Sequence, residues 1–242
     1  MTSVKLAQRG HIATLTLGSP STRNALDEAL RAEFATAIES LNDDDDVRVV
    51  IVAGANGVFA SGLYPLPEGP AARGAGSAVA SLRKPTIAWI DGACVDMGLE
   101  LALACDVRIA SATSTFGLRG VQHGQLPWDG GTQRLSRAVG RGHALRLLLT
   151  GAVVGAEEAL RIELVEGIGD AQAVADWAER AAAGAPIAAA YTKEATASAH
   201  DLTLGQGLRL EADLSVLLQS TADRAEGLDS FASKRKSRFD GR

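Results

Sequence analysis

From Lys84 to Asp106 the chain follows one order: strand, glycine turn, helix start. Thr86-Ile87-Ala88-Trp89-Ile90 is a short apolar run stopped by Asp91-Gly92. Gly98-Leu99-Glu100-Leu101-Ala102-Leu103-Ala104-Cys105-Asp106 then opens on glycine and carries one early carboxylate. That order aims backbone N–H groups and a positive dipole end at whatever sits ahead of the helix. A strand-like run, Val107-Arg108-Ile109-Ala110, follows. After it come Phe116-Gly117 and Pro127-Trp128-Asp129-Gly130-Gly131-Thr132-Gln133-Arg134-Leu135. An apolar-lined site at such a turn suits a developing oxyanion.

The 242 residues fit one large domain or a core with a small appendage. Apolar residues make up 46% of them, which is the content of a folded globular chain. Net charge is −5, with no basic block before the last residues, so nucleic acid is not an expected partner. No run approaches the roughly 18 apolar residues of a membrane span, and the first residues lack a signal-peptide core. Cys94 and Cys105 form neither a disulfide framework nor a metal-ligand spacing. These readings give a cytoplasmic, reduced protein with no metal, in which both cysteines fill core.

Val4–Leu6 and Ile12–Leu17 alternate apolar and polar residues, as in a hairpin turning at Arg9-Gly10. Asn24 is placed to cap the next helix with Asp27 as its reciprocal partner, and Leu26, Leu30, Phe34, Ile38 and Leu41 mark one face. Asp43–Asp46 reads as a solvated turn. Val47–Ala53 reads as a strand buried on both sides, and Gly54–Gly62 as a loop. Pro65, Pro67 and Pro70 make Leu63–Gly76 either a surface loop or a flap over a site. Helical patterns follow over Gly142–Leu149, from Gly155, over Ala171–Ala183, Ile187–Ala199 and Leu204–Leu218, and through Phe231 to Arg238. Strands alternating with helices, then helices alone, predict an α/β core over 1–184 and a helical region over 185–242.

Three segments carry a family resemblance: Lys84-Pro85-Thr86-Ile87-Ala88, the run from Gly98 to Ala110, and Gly130-Gly131-Thr132-Gln133-Arg134-Leu135. Asn24-Ala25-Leu26, Leu148-Leu149-Thr150-Gly151, Glu157-Glu158-Ala159-Leu160 and Phe231–Lys236 add to it. The sequence closely resembles the crotonase superfamily, the enoyl-CoA hydratases and isomerases. The resemblance implies an α/β spiral of β-β-α units, two roughly perpendicular sheets, and C-terminal helices that pack subunits into a homotrimer or a hexamer. It also implies an acyl-CoA substrate, with coenzyme A as part of that substrate and no separate cofactor.

By the same resemblance, the thioester oxygen sits between two backbone N–H groups, those of Leu63 and Met97. Family patterns place glycine where this chain has Asp96 and Met97, and Gly-Ala-Asp where it has Gly62-Leu63-Tyr64. A backbone donor does not depend on its own side chain, although Leu63, Tyr64 and Met97 add bulk to the acyl pocket, and positive φ at Asp96 or Met97 costs strain that glycine avoids. Ala25, Ser61, Gly62, Tyr64, Gly98, Gly120 and Trp128 are the matching substrate-binding positions.

Hydratases of the family hold water between two glutamates. Glu100 matches the first, and the second falls on Gly120. The loss of one partner of such a pair costs roughly 10²–10⁴ in rate. Asp129 stands before Gly130-Gly131-Thr132, either as a second carboxylate or as a cap for the helix there. His123 reads as a general base or a surface residue, and Arg119 as a carboxylate or pyrophosphate contact or an exposed charge. The resulting expectation is an enoyl-CoA hydratase/isomerase-type enzyme with Glu100 as acid/base. Alternatives are a dienoyl-CoA isomerase, a C–C or thioester hydrolase, or an acyl-CoA-binding scaffold with impaired catalysis.

Overall fold

The computed structural model describes residues 3–62 and 74–242. β1 (Ser3–Arg9) and β2 (Ile12–Gly18) form the expected hairpin, and α1 (Glu28–Asp43) buries Leu30, Phe34, Ile38 and Leu41. The chain then supplies strands to two sheets. β3 (Val49–Gly54), β5 (Thr86–Ile90), β7 (Val107–Ala110) and β10 (Gly167–Ile168) join the first, in the order β1-β2-β3-β5-β7-β10. β4 (Val58–Ala60), β6 (Ala93–Val95), β8 (Thr115–Gly117) and β9 (Val154–Gly155) form the second, in that order. From β3 to β8 successive strands alternate between the two sheets, β9 stays in the second and β10 returns to the first. Each winding closes on a helix: α2 (Ala75–Ala80), α3 (Met97–Ala104) and α4 (Gly131–Thr150), the last after a 3-10 turn over Gly120–His123.

Period-two alternation explains the core. Val50 and Val52 of β3 face the large cluster shared with α1, α3 and β5. Val49 and Ile51 face the other way, onto Val174, Ala178 and Ala182 of α6 (Ala171–Ala182). α5 (Ala156–Arg161) precedes α6, and α7 (Pro186–Ala197), α8 (Leu204–Leu218) and α9 (Ala222–Ala232) follow it. Lys193 of α7 reaches back to Asp106 at 2.8 Å and to the Lys84 carbonyl at 3.0 Å.

Three local expectations are corrected and a fourth is extended. Asp27, not Asn24, caps α1, accepting from Leu30 N–H at 2.8 Å. Asn24 is instead buried, accepting from Ser19 N–H and donating to the Ala55 and Val58 carbonyls, so it ties the segment before α1 to the turn between β3 and β4. Gly54–Gly62 contains β4 and is therefore not simply a loop. The helix over Gly142–Leu149 follows a break at Gly140, where φ is 73°, and a further helical stretch from Gly131 precedes that break. Beyond Ala232 the chain leaves the helix and folds back, the buried Asp223 carboxylate accepting from Asp240 and Gly241 N–H. Among the described residues no helix is long and apolar enough to cross a membrane.

Candidate active site

Glu100 lies in the first turn of α3 and is 1% exposed. Its Oε1 accepts from the N–H groups of Asp129 and Gly131, both at 2.8 Å, at the start of α4. No hydrogen-bond donor among the described residues reaches Oε2. Burial pushes the Glu100 carboxyl up to about 7, against the lowering effect of those two N–H groups. A carboxyl titrating there holds or releases a proton near neutral pH, the range in which general acid/base catalysis is most effective.

Asp129 is also buried, but its carboxylate turns toward α2. Oδ2 accepts from Gly76 N–H at 2.6 Å, and Oδ1 from Ser77 N–H at 3.0 Å and Ser77 Oγ at 2.6 Å. It caps a helix 52 residues back in the chain rather than the one beginning beside it. Gly74 makes this possible, because a Cβ there would stand 2.0 Å from the carboxyl carbon. Arg134 Nη1 donates to the Asp129 carbonyl at 2.6 Å, and its charge reaches Glu100. Ser77 and Arg134 were not singled out by sequence reasoning. Ser77 carries no local signal, since its partner is 52 residues away, and Arg134 stands in the Gly130–Leu135 motif without a role assigned to it.

Met97 is the first residue of α3, so its N–H has no acceptor within the helix. Before it, Asp96 has φ 55° and ψ −119°, a glycine-like backbone that costs a non-glycine residue about 1–3 kcal/mol. The buried Asp96 carboxylate accepts from Arg119 N–H at 2.7 Å, Nε at 3.0 Å and Nη2 at 2.5 Å. Arg119 is partly exposed and pairs within the chain with Asp96.

Of the remaining positions, three form a group and the others stand apart. Ala25, Ser61 and Gly62 come together: Ser61 Oγ donates to the Arg23 carbonyl at 2.9 Å, and a Cβ on Gly62 (φ 119°) would meet the Ala25 Cβ at 2.9 Å. Gly98 lies against the end of β4, where a Cβ would be 2.4 Å from the Ala60 carbonyl oxygen. Trp128 is half-buried, with the Arg31 guanidinium 5.7 Å from its ring centre. Gly120 is buried in the 3-10 turn, where a Cβ would stand 2.9 Å from the Gln125 carbonyl oxygen. His123, at the end of that turn, is exposed. Leu63 and Tyr64 lie outside the described residues. Among the described residues no group of His, Cys, Asp and Glu is arranged to hold a metal.

Two sheets wound by alternating strands, with a buried glutamate behind the turn that opens the middle helix, define a crotonase fold. The sequence matches the family described as "Enoyl-CoA hydratase/isomerase" over residues 7–65 and 72–242, and the chain belongs to that family. It is 36% identical over 253 residues to the (E)-benzylidenesuccinyl-CoA hydratase of Thauera aromatica, covering 98% of this chain and 99% of the relative. The 2,3-dehydroadipyl-CoA hydratase of Escherichia coli K12 is 31% identical over 255 residues, with 100% of each chain covered. An enoyl-CoA hydratase structure from Mycobacterium tuberculosis H37Rv matches 100% of both chains with a TM-score of 0.94 and 28% identity.

Proposed function

We propose that this protein acts on an acyl-CoA thioester, using Glu100 to move a proton to or from the acyl chain. The N–H groups of Met97 and Leu63 polarise the thioester oxygen and stabilise the enolate-like anion that forms. Each such donor contributes roughly 3–4 kcal/mol to lowering the barrier. The observation that carries this reading is Glu100 itself: buried, its Oε1 clamped by two backbone N–H groups, and titrating near neutrality. Asp129 is the second carboxylate beside it. Its carboxylate accepts three hydrogen bonds from α2, and Asp129→Asn tests whether it also takes part in the chemistry.

Water addition to an enoyl-CoA is the first reaction to test, in keeping with the relatives' names. Incubation with crotonyl-CoA should remove the enoyl absorbance. No turnover alongside tight acyl-CoA binding would favour the binding scaffold, and equal turnover in Glu100→Gln would remove Glu100 from this role. A second reading, migration of a double bond by a single proton shuttle, is favoured by Gly120, whose tight turn leaves no room for a second glutamate. Assay with a 3-enoyl-CoA separates the two.

We further propose that 185–242 joins subunits into a homotrimer or a hexamer. Leu204, Leu208, Val216, Leu217 and Phe231 are all more than half exposed along α8 and α9, an apolar surface a monomer rarely leaves to water.

A further inference from the structure

Asp96 combines three features that conflict unless something holds them together. Its backbone lies where glycine is at ease, its side chain is buried, and it carries a negative charge one residue from Met97 N–H. A carboxylate there opposes any anion forming at that amide. Arg119 resolves both difficulties: it meets the carboxylate with its backbone N–H and two guanidinium nitrogens, and it supplies the countercharge.

The meeting follows from the fold. β6 and β8 are parallel neighbours with Val95 opposite Gly117, so the residues leaving the two strands emerge side by side. Asp96 N–H donates to the Gly117 carbonyl at 2.8 Å, and the Asp96 carbonyl accepts from Glu100 N–H at 3.0 Å. The anchored residue therefore sits between the end of one strand and the first helical turn, which carries both Met97 N–H and Glu100.

We infer that Arg119 is a positioning residue: through Asp96 it fixes the turn that directs Met97 N–H at the thioester oxygen and neutralises the charge beside it. The inference rests on the proposed role of Met97, and its test separates the two. Butyryl-CoA carrying a 13C thioester carbonyl cannot react by hydration, yet its carbonyl stretch moves to lower frequency when hydrogen-bond donors polarise it. Difference infrared spectra of the bound ligand, with its Kd from titration, are recorded for four proteins: wild type, Arg119→Gln, Arg119→Lys and Asp96→Gly/Arg119→Gln.

The expected series is a lowered frequency in wild type, loss of most of that lowering in Arg119→Gln with Kd changed less than about threefold, and recovery in the double variant, where glycine takes the turn unaided and no charge needs an anchor. Arg119→Lys keeps the countercharge without the two-pronged contact and should fall between. It also replaces Arg119→Gln should that variant fail to fold. No lowering in wild type would overturn the role of Met97 and the inference with it. A normal lowering in wild type that persists in Arg119→Gln, or that is undiminished in Arg119→Lys, would overturn the inference alone, as would a loss confined to Kd or no recovery in the double variant.

Discussion

The N–H of Asp129 lies 2.8 Å from Oε1 of Glu100, so the peptide that opens α4 fixes the side chain of a residue on α3. Because a backbone amide makes the clamp, the carboxylate orientation depends on the α3–α4 packing rather than on the identity of residue 129. The side chain of Asp129 is left to hold α2.

Glu100→Gln should fold and lose about 10²–10⁴ in turnover. Its stability should also change with pH in a defined direction. The Glu100 carboxyl titrates at about 7 when folded, against an ordinary value of 4.5. Between those values the native state keeps a proton the unfolded state has released, so stability falls as pH rises through that window and is level above it. Thermal melts of wild type and variant should agree near pH 4 and diverge above pH 7, the variant being more stable by up to about 3 kcal/mol.

The same titration sets the activity profile. With Glu100 acting as base in the free enzyme, kcat/KM should rise with pH and level above an apparent pKa of about 7. A profile flat from pH 5.5 to 8.5 would show that another group carries the proton.

Asp129→Asn should lower water addition by at least about tenfold and cost about 1.5–3 kcal/mol of stability, as hydrogen bonds to a charged acceptor weaken. Ser77→Ala removes only the hydroxyl donor and should cost about 1 kcal/mol. Comparing their rates separates the chemical contribution of Asp129 from its hold on α2.

Gly98→Ala places a Cβ within 2.4 Å of the Ala60 carbonyl oxygen, a backbone atom that cannot yield cheaply. A loss of at least about 2 kcal/mol is expected, together with displacement of the first turn of α3, read as a lowered melting temperature and lost activity.

Light scattering should return a mass that is a multiple of three chains. Leu208→Glu, on the exposed apolar side of α8, should shift the population toward the single chain.

Much of the fold was legible because the responsible signals are local. Alternation marks β2, and the β-branched run marks β3. Glu100 was legible from its place in a motif, and the strain at Asp96 from the absence of glycine. Local grammar misled at Asn24, a good helix cap by type, whose amide is instead used by carbonyls more than 30 residues away. Asp129 shows the same limit: its neighbours in sequence suggest a cap for α4, whereas its partners lie on α2. Pairings across windings depend on which strands lie side by side, and no short stretch encodes that.

The alternation of strands between two sheets has a consequence for how the chain becomes active. α2 comes from one winding, Glu100 from the next and the Asp129–Gly131 amides from the one after, so a half-wound chain holds no half-made catalyst. During refolding, recovery of turnover should lag behind the appearance of secondary structure and arrive only when the last coil closes.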